Sequence, residues 1–169
     1  GVLGRITDYL KDHQVTHFDG ALPFPSPKLV DEAVELCRKS DPDIVVSVGG
    51  GSALDLGKLV AILLNNDGTS LEYGQGQRKI TNRGIPFIAV PTTSGSSSEV
   101  TSGAALWQMD IEKSCNINHE YMFPEVALVD PELTFSMPKD LAAATGMDAF
   151  TSAFESYWSL ESQPATDSI

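Results

Sequence analysis

The sequence has few cysteines and few basic residues, and it has no long apolar run. Among its 169 residues are two cysteines, Cys37 and Cys115, far apart and without a C-x-x-C spacing, so neither a disulfide framework nor a zinc cluster is expected. Eleven Lys and Arg against 23 Asp and Glu give a formal net charge of −12, which argues against binding nucleic acid or an anionic membrane surface. The apolar stretches are too short to span a membrane, and the N-terminus lacks a targeting pattern. We therefore expect a cytoplasmic protein with no nucleic-acid and no membrane partner.

The spacing of apolar residues predicts an α/β chain built on a parallel sheet. The β-branched run at 44–48 predicts a strand that is covered on both faces. The apolar stretch 141–160 is expected to form a long, largely buried helix or helix pair. Residues 107–121 are irregular in pattern, so no regular structure is predicted there. The predicted strands are 15–18, 44–48, 85–90 and 126–129, and the predicted helices are 27–40, 53–64 and 141–160.

A run of glycines joins the strand at 44–48 to the helix that follows it. In Gly49-Gly50-Gly51-Ser52 the missing side chains let backbone N–H groups come close to a phosphate, and the helix N-terminus adds a partial positive charge. The spacing differs from G-x-G-x-x-G, so the ordinary Rossmann fingerprint does not apply. The alternative is a tight turn that needs a positive φ. The pattern favours a diphosphate site, which an acidic chain must build locally.

Hydroxyl side chains crowd the loop that follows the strand at 85–90. Residues 92–98 are rich in Ser and Thr, which could hydrogen-bond a planar ligand or could form a solvated loop. Both loops follow parallel strands, and open α/β sheets bind their ligands at the carboxyl ends of such strands. Asp55, in the glycine-led helix, could face that ligand or could balance the helix dipole as a first-turn acid.

Three segments together resemble the iron-containing alcohol dehydrogenase family. They are Gly49–Asp55, Pro91–Gly95 with Glu99–Thr101, and Val126–Glu155, and the resemblance extends over nearly the whole chain, from Asp19-Gly20 to the last helix. The resemblance implies an NAD-binding α/β domain, here 1–137, followed by the beginning of an all-helical metal-binding domain at 138–169. We expect the first strand or two and most of the helical domain to be missing, so that the chain is a fragment inactive by itself.

The resemblance also implies a reaction and a set of site residues. It implies an NAD-dependent, metal-dependent alcohol dehydrogenase, or an aldehyde or ketone reductase, acting on a small substrate. Asp55 would lie near the reacting centre. Asp19 would favour NAD over NADP by repelling a 2′-phosphate, although it could equally be a turn aspartate. The implied cofactor-binding residues are Asp19, Gly50, Gly51, Ser52, Thr92, Thr93, Ser96, Thr101, Leu133 and Lys113, the last one residue out of register with the family's lysine.

The chain departs from the family pattern at the metal site. Asp148 matches the family's aspartate ligand for iron or zinc, but Ser152 stands where a histidine ligand is expected one helical turn later. Asp148 could instead be an ordinary helix acid. The alternatives are therefore an enzyme with an altered metal shell, a catalytically silent nucleotide-binding relative, or a sister resembling glycerol dehydrogenase or dehydroquinate synthase. We also expect a homo-oligomer.

Overall fold

The described residues form α-helices, short β-strands and 3₁₀ turns. The structure is a computed structural model, and it describes residues 2–160 and 162–164. Three short 3₁₀ turns lie at Ser98–Val100, Glu120–Met122 and Pro131–Thr134. The α-helices are α1 (Val2–Tyr9), α2 (Pro27–Ser40), α3 (Gly51–Leu63), α4 (Ser70–Gly74) and α5 (Lys139–Trp158). The strands are β1 (Val45–Gly49), β2 (Phe87–Pro91), β3 (Gly103–Gln108), β4 (Lys113–Asn118) and β5 (Val126–Ala127).

A parallel sheet in the order β1-β2-β5 carries the glycine turn. Val45 pairs with Phe87, and the register continues to Gly49 opposite Pro91, so the two strands end together. Helix α3 covers one face of this sheet. A Cβ at Gly57 would lie 2.7 Å from side-chain atoms of Phe87 and Ser47, so only glycine lets the helix come this close. The predicted α/β class with a parallel sheet is confirmed.

The prediction that the strand at 44–48, here β1, is covered on both faces is wrong for the residues that the structure describes. Val46 is 37% exposed on β1, and Val126 is 47% exposed on β5. Helix α3 packs on the opposite face of the sheet, where Leu54 and Ala61 meet Phe87. A continuous β-branched run therefore signals a strand with one buried face here, because no described element lies over the other face.

An antiparallel hairpin replaces the irregular segment predicted at 107–121. Strands β3 and β4 pair from Gly103 opposite Asn118 to Gln108 opposite Lys113. Leu106 and Ile117 point from the hairpin into the main apolar cluster. The prediction failed because β4 carries mostly polar residues, so that its apolar period of two is barely visible in the sequence.

Two of the four predicted strands also differ. Residues 15–18 form no strand, since no described strand lies beside them to complete a ladder. Only Val126 and Ala127 of the run 126–129 are in a strand. In the Gly- and Asn-rich excursion between β1 and β2, Thr69 and Glu72 form a capping box that starts the short helix α4.

Helix α5 is mostly exposed, with Thr145, Ala149 and Ser156 half-buried. None of its residues is buried, and Phe150, Tyr157 and Trp158 are each more than 60% exposed. The expectation of a largely buried helix is therefore wrong for the described residues, because no described element packs over this face. The predicted helical unit at 138–169 begins as α5, and 165–169 lie outside the described residues. In the described part of the chain, no helix has both the length and the apolarity that crossing a bilayer would require.

Candidate functional site

The glycine turn begins α3 without any side-chain cap. Gly50 is the N-cap residue, and its carbonyl accepts from the backbone N–H groups of Ala53 and Leu54. No side chain caps the first turn, and a helix cannot satisfy its own first N–H groups. These N–H groups and the positive end of the helix dipole are therefore available to bind an anion instead of a capping side chain.

The glycine turn and the Ser/Thr loop, residues 92–98, are in direct contact. The Thr92 N–H donates to the Gly49 carbonyl at 2.9 Å. A Cβ at Gly50 would lie 3.2 Å from the Oγ1 and Cγ2 atoms of Thr93, and a Cβ at Gly51 would collide with the Ser96 hydroxyl. The prediction that both loops meet at the carboxyl edge of the sheet is confirmed, and glycine is what leaves room between them.

Asp55 ties α3 to two later segments. Its Oδ1 accepts from the Ser98 hydroxyl at 2.6 Å, and its Oδ2 accepts from the Ala105 N–H at 3.0 Å. The side chain is 18% exposed. Asp55 lies beyond the first turn of α3, which contains no acid. The alternative that Asp55 balances the helix dipole as a first-turn acid is therefore wrong. Its role near the reacting centre stays a prediction, and the geometry adds a structural role, since both oxygens already have partners.

Lys58 is a residue that sequence reasoning missed. Its side chain is fully buried, and its Nζ lies 3.8 Å from Asp55 Oδ1. The ammonium group donates to the Gly103 carbonyl at 2.7 Å and to the carbonyl and hydroxyl oxygens of Thr101 at 3.0 and 3.1 Å. Burial lowers the pKa of Lys58, and the negative charges of Asp55 and then Glu99 act in the opposite direction.

The sequence does contain a signal for this network. Lys58 is the one charged residue in the otherwise apolar run from Leu56 to Leu64, and it follows Asp55 by three residues. A lysine in such a position needs a partner, because an unpaired buried charge is strongly unfavourable. The pairing with Thr101 and Gly103 could not be read from local spacing.

The remaining predicted cofactor residues fall into two groups. The first group lies together at the carboxyl edge of the parallel sheet and consists of Gly50, Gly51, Ser52, Thr92, Thr93 and Ser96. Asp19 and Lys113 are exposed, Leu133 is buried, and the Thr101 hydroxyl accepts from Lys58. None of the described hydrogen bonds or close contacts joins Asp19, Lys113 or Leu133 to the glycine turn. An open groove of about 800 Å³ along α2 and the Thr69–Leu71 segment includes no residue of either loop.

Helix α5 brings the predicted metal ligand towards the Ser/Thr loop. A Cβ at Gly95 would lie 2.9 Å from the Cβ of Thr145, and Asp148 follows Thr145 by three residues on the same helix face. Both Asp148 and Ser152 are exposed. The described residues contain no group of three His, Cys, Asp or Glu side chains placed to hold a metal ion. Asp148 alone does not fit a complete metal site.

Comparison with known proteins connects this geometry to characterised enzymes. The family model for iron-containing alcohol dehydrogenase matches residues 1–131. Long-chain-alcohol dehydrogenase 1 of Geobacillus thermodenitrificans is 39% identical over 100% of this chain and 43% of its own length. For 4-hydroxybutyrate dehydrogenase of Cupriavidus necator the identity is 38%, over 100% of this chain and 45% of the relative. The chain thus spans less than half the length of these curated relatives.

A solved structure agrees in fold as well as in sequence. Sulfoacetaldehyde reductase from Bifidobacterium kashiwanohense, crystallised in complex with NAD⁺, superposes with a TM-score of 0.93 and 38% identity. The match covers 99% of this chain and 45% of that chain. The family model, the relatives and the shared fold lead to one conclusion: the chain belongs to the iron-containing alcohol dehydrogenase family.

Proposed function

We propose that this chain binds NAD at the glycine turn and is the cofactor-binding part of an alcohol dehydrogenase, or of an aldehyde or ketone reductase. One observation carries the proposal. The start of α3, with Gly50 as N-cap, Gly51 as first residue and no side-chain cap, lies against the Ser/Thr loop at the edge where β1 and β2 end together. This is the edge at which open α/β sheets bind their ligands.

The geometry supports a defined binding mode for the cofactor. The backbone N–H groups of Gly51 and Ser52 would donate to the diphosphate, and the helix dipole would offset the repulsion from an acidic chain. The hydroxyl groups of Thr93 and Ser96, beside the two glycines, would donate to the same anion or to a ribose. When bound, NAD⁺ would supply the hydride acceptor for oxidation of the alcohol carbon, with the hydroxyl proton released to solvent, and NADH would supply the hydride for the reverse reduction.

Asp19 supports NAD rather than NADP as the cofactor. Its carboxylate is exposed on the loop that precedes α2, where it could accept from a ribose 2′-hydroxyl and would repel a 2′-phosphate. The relative solved with NAD⁺ is consistent with this choice. The two free cysteines, Cys37 and Cys115, fit the reducing cytoplasm that we propose for the protein.

The proposed domain boundary follows Met137. Helix α5 begins at Lys139, and it carries Asp148, which we propose as one ligand of a divalent metal ion. The described residues do not complete such a site, so no catalytic step is assigned to a metal here. Ser152 favours the second candidate function, a relative that binds NAD without turnover, since a neutral hydroxyl is a weak ligand for iron or zinc.

Titration of the full chain with NADH tests the proposal. Gly51→Val would fill the space against Ser96 and should weaken NADH binding at least tenfold, or about 1.4 kcal/mol. The matched control is Gly146→Val in α5, where a new Cβ meets nothing within 4 Å, and it should bind as the parent does. Circular dichroism confirms that both variants are folded. Equal NADH affinity for a folded Gly51→Val variant would refute the assignment.

A second assay separates the enzyme from the silent relative. NADH oxidation is followed at 340 nm with a panel of short and long aldehydes and ketones, using the protein in its natural full-length form. Turnover of any of these substrates supports the reductase. Tight NADH binding without turnover, with iron and with zinc supplied in separate assays, supports the silent relative.

A further inference from the structure

An aromatic pair stands beside the glycine turn without a role in anything described above. The rings of Phe24 and Trp107 meet edge to face, with their centroids 5.0 Å apart. Phe24 is 53% exposed and Trp107 is half-buried. The Phe24 N–H donates to the Ser52 hydroxyl at 3.3 Å, so the pair adjoins the first turn of α3.

The backbone holds Phe24 in an unfavourable conformation. Its φ is 60°, in the left-handed region that a bulky side chain rarely adopts. The next residue anchors this loop, since the Pro25 side chain is fully buried and its carbonyl accepts from the Trp107 N–H at 2.9 Å. A strained and anchored backbone therefore keeps a large apolar ring half in solvent, and strain of this kind is concentrated at functional sites.

The position of the pair relative to the diphosphate site explains the exposed ring. Gly50 and Gly51 face the Ser/Thr loop. Ser52 faces a second loop, the proline-rich residues 20–27 that include Phe24. The first turn of α3 thus lies between two loops. A dinucleotide has a planar heteroaromatic ring on each side of its diphosphate, so each loop is placed to receive one ring.

We propose that Phe24, supported by Trp107, forms the apolar wall against which one ring of the bound dinucleotide packs. This rests on the proposed function, because it takes the diphosphate to lie at the glycine turn. Aromatic side chains hold planar bases by stacking and by edge contacts. The Ser52 hydroxyl accepts from the Phe24 backbone and so keeps its own proton to donate to a phosphate oxygen, which links the ring wall to the anion site.

Fluorescence gives a direct readout of this wall. Trp107 and Trp158 are the two tryptophans of the sequence, and replacing the exposed Trp158 (Trp158→Phe) leaves Trp107 as the one tryptophan in these 169 residues. In this background, binding of NADH should quench Trp107 and transfer energy to the reduced nicotinamide. Phe24→Leu, which keeps an apolar side chain but removes the ring, should weaken NADH binding about tenfold.

Two controls isolate the ring from the loop. Phe24→Tyr retains an aromatic ring and should bind NADH as the parent does. Phe135→Ala removes a ring that is 80% exposed elsewhere on the chain, and it should leave both binding and quenching unchanged. Circular dichroism verifies that each variant is folded.

ADP-ribose, which lacks the nicotinamide, identifies the ring. If Phe24→Leu weakens ADP-ribose and NADH equally, the adenine packs on Phe24; if it weakens only NADH, the nicotinamide does. Both results support the wall. Unchanged affinity for both ligands in Phe24→Leu, with NADH binding lost in Gly51→Val, overturns this inference while the proposed function stands. A parent that binds no NADH overturns both.

Discussion

Replacing the buried Lys58 with methionine tests what holds the Ser/Thr loop against α3. Methionine has similar length and keeps the apolar packing, but it removes the ammonium group. The Thr101 and Gly103 carbonyls would lose their donor, and Asp55 would lose its nearby positive charge. The variant thus deletes one side of a polar network while preserving the volume of the core.

The magnitude follows from the geometry. Removing one partner of a buried charge pair costs about 3–5 kcal/mol of unfolding free energy. Asp55 is 18% exposed and keeps its bonds from Ser98 and Ala105, so we expect about 2–4 kcal/mol. For a chain of this size that corresponds to a fall in Tm of about 5–15 °C.

Urea unfolding at neutral pH, followed by circular dichroism, measures the change. The matched control is Lys28→Met on α2, a lysine whose side chain is 86% exposed and which pairs with Glu32 at 3.8 Å. It should change the unfolding free energy by less than about 0.5 kcal/mol. If Lys58→Met unfolds at the same urea concentration as Lys28→Met, the network does not stabilise the fold and the reasoning fails.

The pH dependence of stability gives an independent check. Burial lowers the pKa of Lys58 below its ordinary 10.5, so between the folded pKa and 10.5 the unfolded chain binds more protons than the folded one. Stability contributed by Lys58 must then rise with pH through that interval. The difference in unfolding free energy between parent and Lys58→Met should therefore widen towards pH 10. A difference that stays constant would show that the ammonium is not desolvated.

Two further predictions concern the cofactor and the metal. Asp19→Gly should raise the use of NADP relative to NAD about tenfold by removing a repelling carboxylate; a ratio of the two kcat/KM values that does not move would identify Asp19 as a turn residue only. Ser152→His should retain more zinc after brief chelation than the parent and than Thr151→His, because only the first places an imidazole one turn from Asp148. Equal zinc retention by all three, measured by elemental analysis, would place Ser152 outside the metal shell.

Local patterns made the part of the fold around the glycine turn predictable. The β-branched run, the three glycines and the apolar helix lie next to one another, so strand, turn and helix follow from short-range chemistry. The prediction placed the helix at 53–64, whereas α3 spans Gly51–Leu63. The helix starts earlier than predicted because Gly50 is its N-cap and Gly51 its first residue, and the N–H groups of its first turn, which lack intrahelical partners, suit an anion.

Long-range partners could not be predicted in the same way. Asp55 bonds to Ser98 and to Ala105, about fifty positions later in the chain, and no spacing rule connects them. The hairpin was missed since its inward face, with Leu106 and Ile117, is defined by the core that it covers. The exposure of α5 depends on what packs against it, which helical periodicity alone does not specify.

The parallel order of the main sheet has a consequence for synthesis on the ribosome. Strand β1 pairs with β2, and β2 with β5, so among the described strands β1 gains a neighbour only after Phe87–Pro91 has been made. At about 5–20 residues per second, translation from β1 to β2 takes about 2–8 s. Throughout that interval the apolar surface of α3 lacks β2 to pack against, and the edge of β1 that later pairs with β2 has no partner. This nascent stage, rather than the finished fold, is where the chain is most exposed to aggregation.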